Sequence, residues 1–154
     1  KETLNLNTLI SEIKNEHVNK GVQQRLVKIV YGFKNKDDAI IIEADRDRLV
    51  QVIHNLLDNA LKFTTHQQMI FVIVDKKEGQ GQVIVSVKDT GEGIPEKILP
   101  KLFSKFSVSN SNTGTGLGLY ICKNIVEAHG GRIWAENNSD ENGATFSFTL
   151  PIAD

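Results

Sequence analysis

The sequence has few of the residues that support covalent cross-links or membrane-spanning segments. Its 154 residues include one cysteine, three prolines, one methionine and one tryptophan. The single Cys122 excludes an internal disulfide and a cysteine-based zinc site, and we interpret it as a core thiol in a reducing, intracellular setting. No apolar run approaches the roughly 20 residues that cross a bilayer, and no signal peptide is visible. We therefore expect a cytoplasmic domain that makes no membrane contact of its own.

Neither sign of charge is in excess. The formal net charge is −1, from 18 Lys and Arg against 19 Asp and Glu, and the basic residues form no run that would favour nucleic acid. The length and the 40% hydrophobic content fit one domain over residues 1–154. Because Lys1 is not an initiator methionine, we expect this domain to come from a longer protein whose sensor region or membrane anchor lies elsewhere.

The amino-terminal third predicts a short strand, a helix and a hairpin. Apolar and polar residues alternate over 4–6, and Asn7-Thr8 would then cap a helix that runs to about Lys20. β-Branched and aromatic residues predict strands over 26–33 and 39–44. Because turn-forming residues separate these two strands, we expect them to pair as a hairpin.

The strongest helix is predicted to begin at Asp45. Its apolar residues recur at i, i+3, i+4, i+7, i+8 and i+11, and they are Leu49, Val52, Ile53, Leu56, Leu57 and Ala60. The remaining patterns predict strands at 69–74, 83–87, 132–136 and 145–150, a short helix within 95–107, and a helix over 117–129 ended by Gly130-Gly131. The order predicts an α+β fold with helices layered on one face of a mixed sheet.

A glycine-rich segment, Asp89-Thr-Gly-Glu-Gly-Ile-Pro95, directly follows a predicted strand. An ionised Asp89 only accepts hydrogen bonds, so it can bind the six-amino group of adenine and would repel the oxygen of guanine at that position. Gly91 and Gly93 would let the backbone approach a base closely. The alternative is a simple turn in which Asp89 caps its own backbone.

A second glycine-rich segment, with Gly114, Gly116 and Gly118, directly precedes a predicted helix. Exposed backbone N–H groups and the positive helix end suit an anion such as phosphate. The alternative is a flexible linker with a glycine that permits close packing. This glycine-rich segment is not a Walker A loop, because no Gly-Lys-Ser/Thr follows. It is also not a dinucleotide fingerprint, because no strand precedes it. We expect residues 107–115 to be mobile and to become ordered with nucleotide.

Asn55, Asn59 and Lys62 lie within about 60° of one another on the predicted helix. Carboxamide oxygens suit Mg²⁺, which takes few protein ligands besides phosphates and waters, and Lys62 could balance phosphate charge. The alternative is an ordinary solvated helix face.

Together these segments resemble the four sequence boxes of sensor histidine kinases. Residues 48–64 resemble the N box, 89–95 the first glycine box, 102–106 the F box and 114–121 the second glycine box, in family order and spacing. Leu150-Pro151 is similar to the usual end of the last strand. The resemblance covers nearly the whole chain and is specific because all four boxes occur together.

The resemblance implies a Bergerat fold, a two-layer α/β sandwich with a mixed sheet of about five main strands against about three helices. This fold is shared with gyrase-type topoisomerases, Hsp90 chaperones and MutL repair proteins. The resemblance also implies binding of ATP with Mg²⁺ and donation of the γ-phosphoryl group to a histidine on a separate dimerisation and phosphoacceptor domain. A response regulator would be an indirect partner, and the isolated domain would be a monomer.

The site residues that the resemblance implies fall into four sets. Asn59 would be the Mg²⁺ ligand, and the catalytic set would be Asn55, Lys62 and Lys105. Phe103 and Phe106 would tether a lid formed by about residues 96–115. The full set of implied nucleotide contacts is Asn55, Asn59, Lys62, Asp89, Gly91, Gly93, Ile94, Phe103, Phe106, Thr113, Gly114, Thr115, Gly116, Leu117, Gly118, Leu119 and Thr145.

Three departures refine what the resemblance implies. Asn55 stands where ATP-hydrolysing relatives usually carry Glu, and because Asn cannot act as a base we expect slow hydrolysis. No cation follows Phe106, so Lys105 or Lys101 would take its place. None of the four histidines has an acceptor motif, so this fragment should not phosphorylate itself. A non-catalytic nucleotide-sensing module, or a protein-serine kinase or ATPase of the same fold, remains the alternative.

Overall fold

The computed structural model describes residues 1–19, 28–35, 39–62, 69–77, 79–105, 117–139 and 142–153. These residues form seven strands, three α-helices and one 3₁₀ turn at Leu99–Lys101. The elements are β1 (Glu2–Asn5), α1 (Leu6–Asn19), β2 (Lys28–Phe33), β3 (Ile41–Ala44), α2 (Arg46–Lys62), β4 (Met69–Lys77), β5 (Gln82–Asp89), α3 (Gly118–Ala128), β6 (Ile133–Asn137) and β7 (Ala144–Pro151). None of the described helices combines the length and apolarity that a bilayer crossing requires.

Five of the strands form one mixed sheet in the order β2-β4-β5-β7-β6. β2 and β4 are parallel, and every other neighbouring pair in this sheet is antiparallel. β1 and β3 form a separate two-stranded antiparallel sheet. The predicted α+β sandwich of about five strands and three helices is confirmed.

Side-chain alternation along β5 and β7 defines the face of the sheet that meets the helices. Val87 lies opposite Phe146 and Val85 opposite Phe148, and all four are buried in the core with the apolar stripe of α2. The intervening residues point to the other face, where the hydroxyls of Ser86 and Ser147 lie 2.9 Å apart. By the same alternation, the side chain of Asp89 belongs to the helix-facing side.

The predicted helix at Asp45 is confirmed, and all six residues of its apolar stripe are buried. Asp45 Oδ1 accepts a hydrogen bond from the Arg48 N–H at 3.3 Å, as an N-cap does. The four later strands are also confirmed. Three of them are slightly longer than expected, and β6 has the expected length but lies one residue later in the chain. α3 ends where predicted, before Gly130, whose φ is +81°.

The predicted hairpin of strands 26–33 and 39–44 is wrong. β2 instead pairs in parallel with β4, and β3 pairs with β1. The end of β2 is fixed to β4 and not to β3. There the Lys34 N–H donates to Val74 O at 3.0 Å, and the Lys76 N–H donates to Asn35 Oδ1 at 2.8 Å.

Two smaller predictions also need correction. α1 begins at Leu6, before the cap predicted at Asn7-Thr8, because Asn5 Oδ1 accepts the Asn7 N–H at 3.1 Å and acts as the cap. In the segment 95–105, only Leu99–Lys101 is helical, as a 3₁₀ turn. Pro100 lacks an N–H group, so it cannot extend the hydrogen bonds of this segment into an α-helix.

Gly131 is a position where the fold has no room for a side chain. A Cβ there would overlap Thr149 O and lie 3.1 Å from Val126 Cγ1. We expect Gly131→Ala to lower the free energy of unfolding by about 2–4 kcal/mol, measured by urea denaturation. Gly32→Ala is the matched control, because a Cβ at Gly32 would meet nothing within 4 Å. Equal unfolding midpoints for the two variants would contradict the packing of α3 against β7.

Candidate functional site

The centre of the candidate site is the carboxylate of Asp89 at the end of β5. Asp89 is only 3% exposed to solvent. Its Oδ1 accepts the Gly91 N–H at 2.9 Å and the Ala144 N–H at 3.3 Å. No described residue donates to its Oδ2. One oxygen is therefore held by the backbone, while the other remains available as an acceptor.

Burial sets the protonation behaviour of this carboxyl. Loss of hydration raises the pKa of Asp89 above its ordinary value, and the hydrogen bonds from the Gly91 and Ala144 amides offset this only in part. The ionised form is thus costly in the absence of a further donor. A ligand that supplies a donor to Oδ2 would recover part of that cost.

Gly143 allows β7 to approach this carboxylate. Its φ is +106°, and a Cβ there would overlap Asp89 O and lie 2.9 Å from Asp89 Oδ1. Gly143 lies in the connection between β6 and β7, directly before β7. The structure adds a packing requirement, because any side chain at Gly143 would displace the carboxylate.

Two side-chain carboxamides that the sequence analysis does not identify contact the end of β5 and the loop that follows it. Asn138 Nδ2 donates to Asp89 O at 3.0 Å, and Asn138 Oδ1 accepts the Thr145 hydroxyl at 2.6 Å. Asn137 Oδ1 accepts the Ile94 N–H at 2.7 Å, and Asn137 Nδ2 donates to Ile94 O at 2.9 Å. The only sequence signal was two adjacent carboxamides at the end of a predicted strand.

The structure does not bring the side chain of Thr145 to Asp89. Thr145 lies opposite Lys88 in the β5–β7 register, on the face that points away from the helices. Its hydroxyl is hydrogen-bonded to Asn138. Ala144, one residue earlier, is the β7 residue beside the carboxylate. The nucleotide contact expected of Thr145 stays a prediction.

The three polar residues predicted on α2 lie on the helix as expected. Asn55 is half-buried, and its Nδ2 donates to Cys122 Sγ in α3 at 3.6 Å. Asn59 is half-buried, and no described residue hydrogen-bonds its carboxamide. Lys62 is exposed at the last residue of the helix. Cys122 is a core thiol as predicted, and burial raises its pKa to about 11.

The structure describes residues 96–105 of the predicted lid and the chain beyond the lid from Leu117 onward. Phe103 is half-buried, and its ring meets that of Phe146 edge-on, with centroids 6.3 Å apart. Lys105 is exposed at the end of this part. At the other end, Gly118 begins α3, with Leu117 and Leu119 half-buried on either side. Phe106, Thr113, Gly114, Thr115 and Gly116 lie outside the described residues.

Residues 44–154 match the family described as histidine kinase-, DNA gyrase B- and HSP90-like ATPases. This match covers most of the chain, which therefore belongs to that family. The fold and the positions of the N box and the first glycine box described above agree with this assignment.

Curated relatives are sensor kinases. The chain is 38% identical over 135 residues to the sensor protein FixL of Bradyrhizobium diazoefficiens, covering 87% of this chain and 26% of FixL. It is 42% identical over 152 residues to the sensor protein KdpD of Clostridium acetobutylicum, covering 93% of this chain and 16% of KdpD. The chain thus spans about a quarter or less of the length of these relatives.

Solved structures of histidine kinases share the fold. The nucleotide-free catalytic domain of histidine kinase ThkA matches with a TM-score of 0.85 at 37% identity, covering 97% of this chain and 94% of that one. ThkA in complex with the response regulator protein TrrA matches with a TM-score of 0.80 at 36% identity, covering 98% of this chain and 41% of that one. The chain is therefore an ATP-binding catalytic domain of the histidine kinase type.

The raised pKa of Asp89 predicts how stability depends on pH. The unfolded carboxyl ionises near about pH 3.9, whereas the folded one ionises at higher pH. The protein therefore loses stability as the pH rises from the unfolded pKa through the folded one, and then levels off. Asp89→Asn does not titrate, so its free energy of unfolding relative to the unsubstituted chain should increase over the same pH range.

Urea denaturation between about pH 4 and about pH 8 measures this difference. Asp58→Asn is the matched control, since Asp58 is exposed on α2. If the free energy of unfolding of Asp89→Asn relative to the unsubstituted chain stays constant or falls as the pH rises, burial does not raise the pKa of this carboxyl.

Proposed function

We propose that this domain binds Mg-ATP and donates its γ-phosphoryl group to a histidine on a separate phosphoacceptor domain of a longer, two-component sensor kinase. A response regulator would then take the phosphoryl group from that histidine. The domain would work in the cytoplasm and be monomeric in isolation. The observation that carries the proposal is the buried Asp89, whose Oδ1 is saturated by backbone amides while Oδ2 has no described donor.

Adenine fits this acceptor better than guanine does. A carboxylate with one oxygen already occupied can accept one further N–H group, which the six-amino group of adenine supplies. Guanine would place its own oxygen against Oδ2 and leave both acceptors buried without a donor. Such a mismatch costs about 1–3 kcal/mol, which corresponds to roughly ten-fold or more in affinity.

The residues of α2 fit a bound Mg²⁺ and the phosphates. Asn59 offers a neutral carboxamide oxygen that no described residue uses, and it lies one helical turn from Asn55. When bound, Mg²⁺ would neutralise phosphate charge while taking most of its other ligands from phosphates and waters. Lys62 would add a positive charge at the carboxyl end of the helix, and the amino end of α3 at Gly118 would provide backbone N–H groups.

Asn55 favours transfer of the phosphoryl group over hydrolysis. A carboxamide cannot take a proton from an attacking water, as a glutamate at this position could. Its Nδ2 is also bonded to Cys122, which fixes the carboxamide between α2 and α3. The site can therefore position ATP without activating water, and positioning with charge neutralisation supplies most of the rate in phosphoryl transfer.

A passive nucleotide sensor is the second candidate. It is favoured by one sequence observation, that no Lys or Arg occurs between Phe106 and Leu117. We assign the contact with the γ-phosphate to Lys105, with Lys101 as the alternative. Joining the domain to its own acceptor segment and following ³²P from γ-labelled ATP distinguishes the candidates. Label on the acceptor histidine supports the kinase, whereas tight ATP binding without any transfer supports the sensor.

Purine selectivity tests the role of Asp89 directly. We expect the chain to bind Mg-ATP at least about ten-fold more tightly than Mg-GTP, as measured by isothermal titration calorimetry. Asp89→Asn should weaken Mg-ATP binding by about ten- to a hundred-fold, because an amide donor would face the six-amino group. Asp58→Asn serves as control. Equal affinities for the two nucleotides would overturn the adenine assignment.

Metal dependence tests the role of Asn59 separately. Asn59→Ala should weaken ATP binding several-fold in the presence of Mg²⁺ and leave it nearly unchanged in EDTA, because only the metal-bound complex uses the carboxamide oxygen. Asp58→Ala, one residue away and exposed on the same helix, should behave like the unsubstituted chain. An equal loss with and without Mg²⁺ would assign Asn59 to the nucleotide or to the fold instead of the metal.

A further inference from the structure

We propose that Asn137 is a positioning residue of the nucleotide site, which holds the loop of residues 91–95 in the shape that accepts a purine. This inference rests on the proposed ATP binding and adds to it a residue outside the four sequence boxes. Asn137 ends β6, the edge strand of the main sheet, whereas the loop follows β5, two strands away in the sheet order. A side chain therefore joins two segments that the strand ladder does not connect.

The side chain of Asn137 makes the same two hydrogen bonds with Ile94 that a backbone peptide group could make. Oδ1 of Asn137 accepts the Ile94 N–H at 2.7 Å, and Nδ2 donates to Ile94 O at 2.9 Å. A carboxamide carries a donor and an acceptor in the arrangement of a peptide group, so it can satisfy both polar groups of Ile94 at once. Asp could supply only acceptors, and Ala would supply neither.

Few other interactions hold this part of the loop. Gly91 is bonded to Asp89, and Pro95 O accepts the N–H groups of Ile98 and Leu99. Between these two points, the bonds from Asn137 are the only hydrogen bonds that residues 92–94 make with the described part of the chain. Ile94 also packs against the core, so the two bonds and this packing together fix its position in the loop.

The same carboxamide explains why position 93 is glycine. The φ of Gly93 is +87°, which disfavours any side chain. A Cβ at Gly93 would also lie 2.9 Å from Asn137 Oδ1, closer than real Cβ atoms approach an oxygen. Gly93 and Asn137 are therefore coupled: the first must lack a side chain so that the second can reach Ile94.

Loss of Asn137 should affect nucleotide binding more than the fold. Without the two bonds, the loop samples shapes in which the base site is not formed, and ATP must order it on binding. Asn137 is exposed as a residue, so water replaces part of the lost bonding in the free protein. We expect Asn137→Ala to raise the Kd for Mg-ATP about ten-fold, which corresponds to two modest hydrogen bonds.

The experiment combines amide exchange with binding. In the nucleotide-free chain, Asn137→Ala should speed hydrogen exchange at the Ile94 amide and leave the β4 amides unchanged. In titrations, it should weaken Mg-ATP and lower the preference for ATP over GTP. Asn142→Ala is the matched control, because Asn142 lies in the same β6–β7 connection. Among the described residues, its only hydrogen bond is made by its backbone oxygen, which accepts from Asn138. A general loss of stability would instead speed exchange throughout the sheet.

A double-mutant cycle tests the coupling to Gly93. Gly93→Ala should weaken Mg-ATP binding by a larger factor in the unsubstituted chain than in Asn137→Ala, where the clash with Oδ1 is absent. Strict additivity, or Asn137→Ala binding ATP as tightly as the unsubstituted chain, would overturn the positioning role alone. A chain that binds no Mg-ATP even without substitutions would overturn the proposed function and this role with it.

Discussion

The antiparallel register between β5 and β7 is the constraint on which the candidate site depends. It sets Val87 and Val85 against Phe146 and Phe148 in the core, and the same alternation turns Asp89 toward the helices. A shift of one residue would expose the core valines and move the carboxylate to the other face of the sheet. The hydrophobic core therefore fixes where the proposed base acceptor lies, because the same register positions the core residues and the carboxylate.

This register places a carboxyl group in a buried position, where its ionisation lowers the stability of the fold. The Asp89 carboxyl is buried without an opposite charge among its described contacts, and its raised pKa reflects that cost. Backbone amides from Gly91 and Ala144 stabilise one oxygen, and Gly143 leaves the space that β7 needs beside it. In the proposed function, a nucleotide with an exocyclic amine would use the unmatched oxygen, and the site would give up some stability for selectivity.

Features with a local signature could be predicted from the sequence, and those set by distant pairing could not. The apolar stripe of α2 repeats every three or four residues, so its burial and its polar side followed from periodicity alone. The pairing of β2 with β4 joins segments about 40 residues apart, and the turn residues after β2 wrongly indicated a hairpin. The sequence does not identify Asn137 for the same reason, because its hydrogen-bond partner Ile94 lies 43 residues away.

The most direct test of the account is a crystal structure of this chain with Mg²⁺ and a non-hydrolysable ATP analogue. The account predicts that the six-amino group of adenine lies within about 3 Å of Asp89 Oδ2. It also predicts that Oδ1 keeps its bonds to the Gly91 and Ala144 amides, and that Asn137 keeps both bonds to Ile94. A base bound elsewhere, or an Asp89 carboxylate that makes no contact with it, would contradict the central claim that this buried acceptor selects the nucleotide.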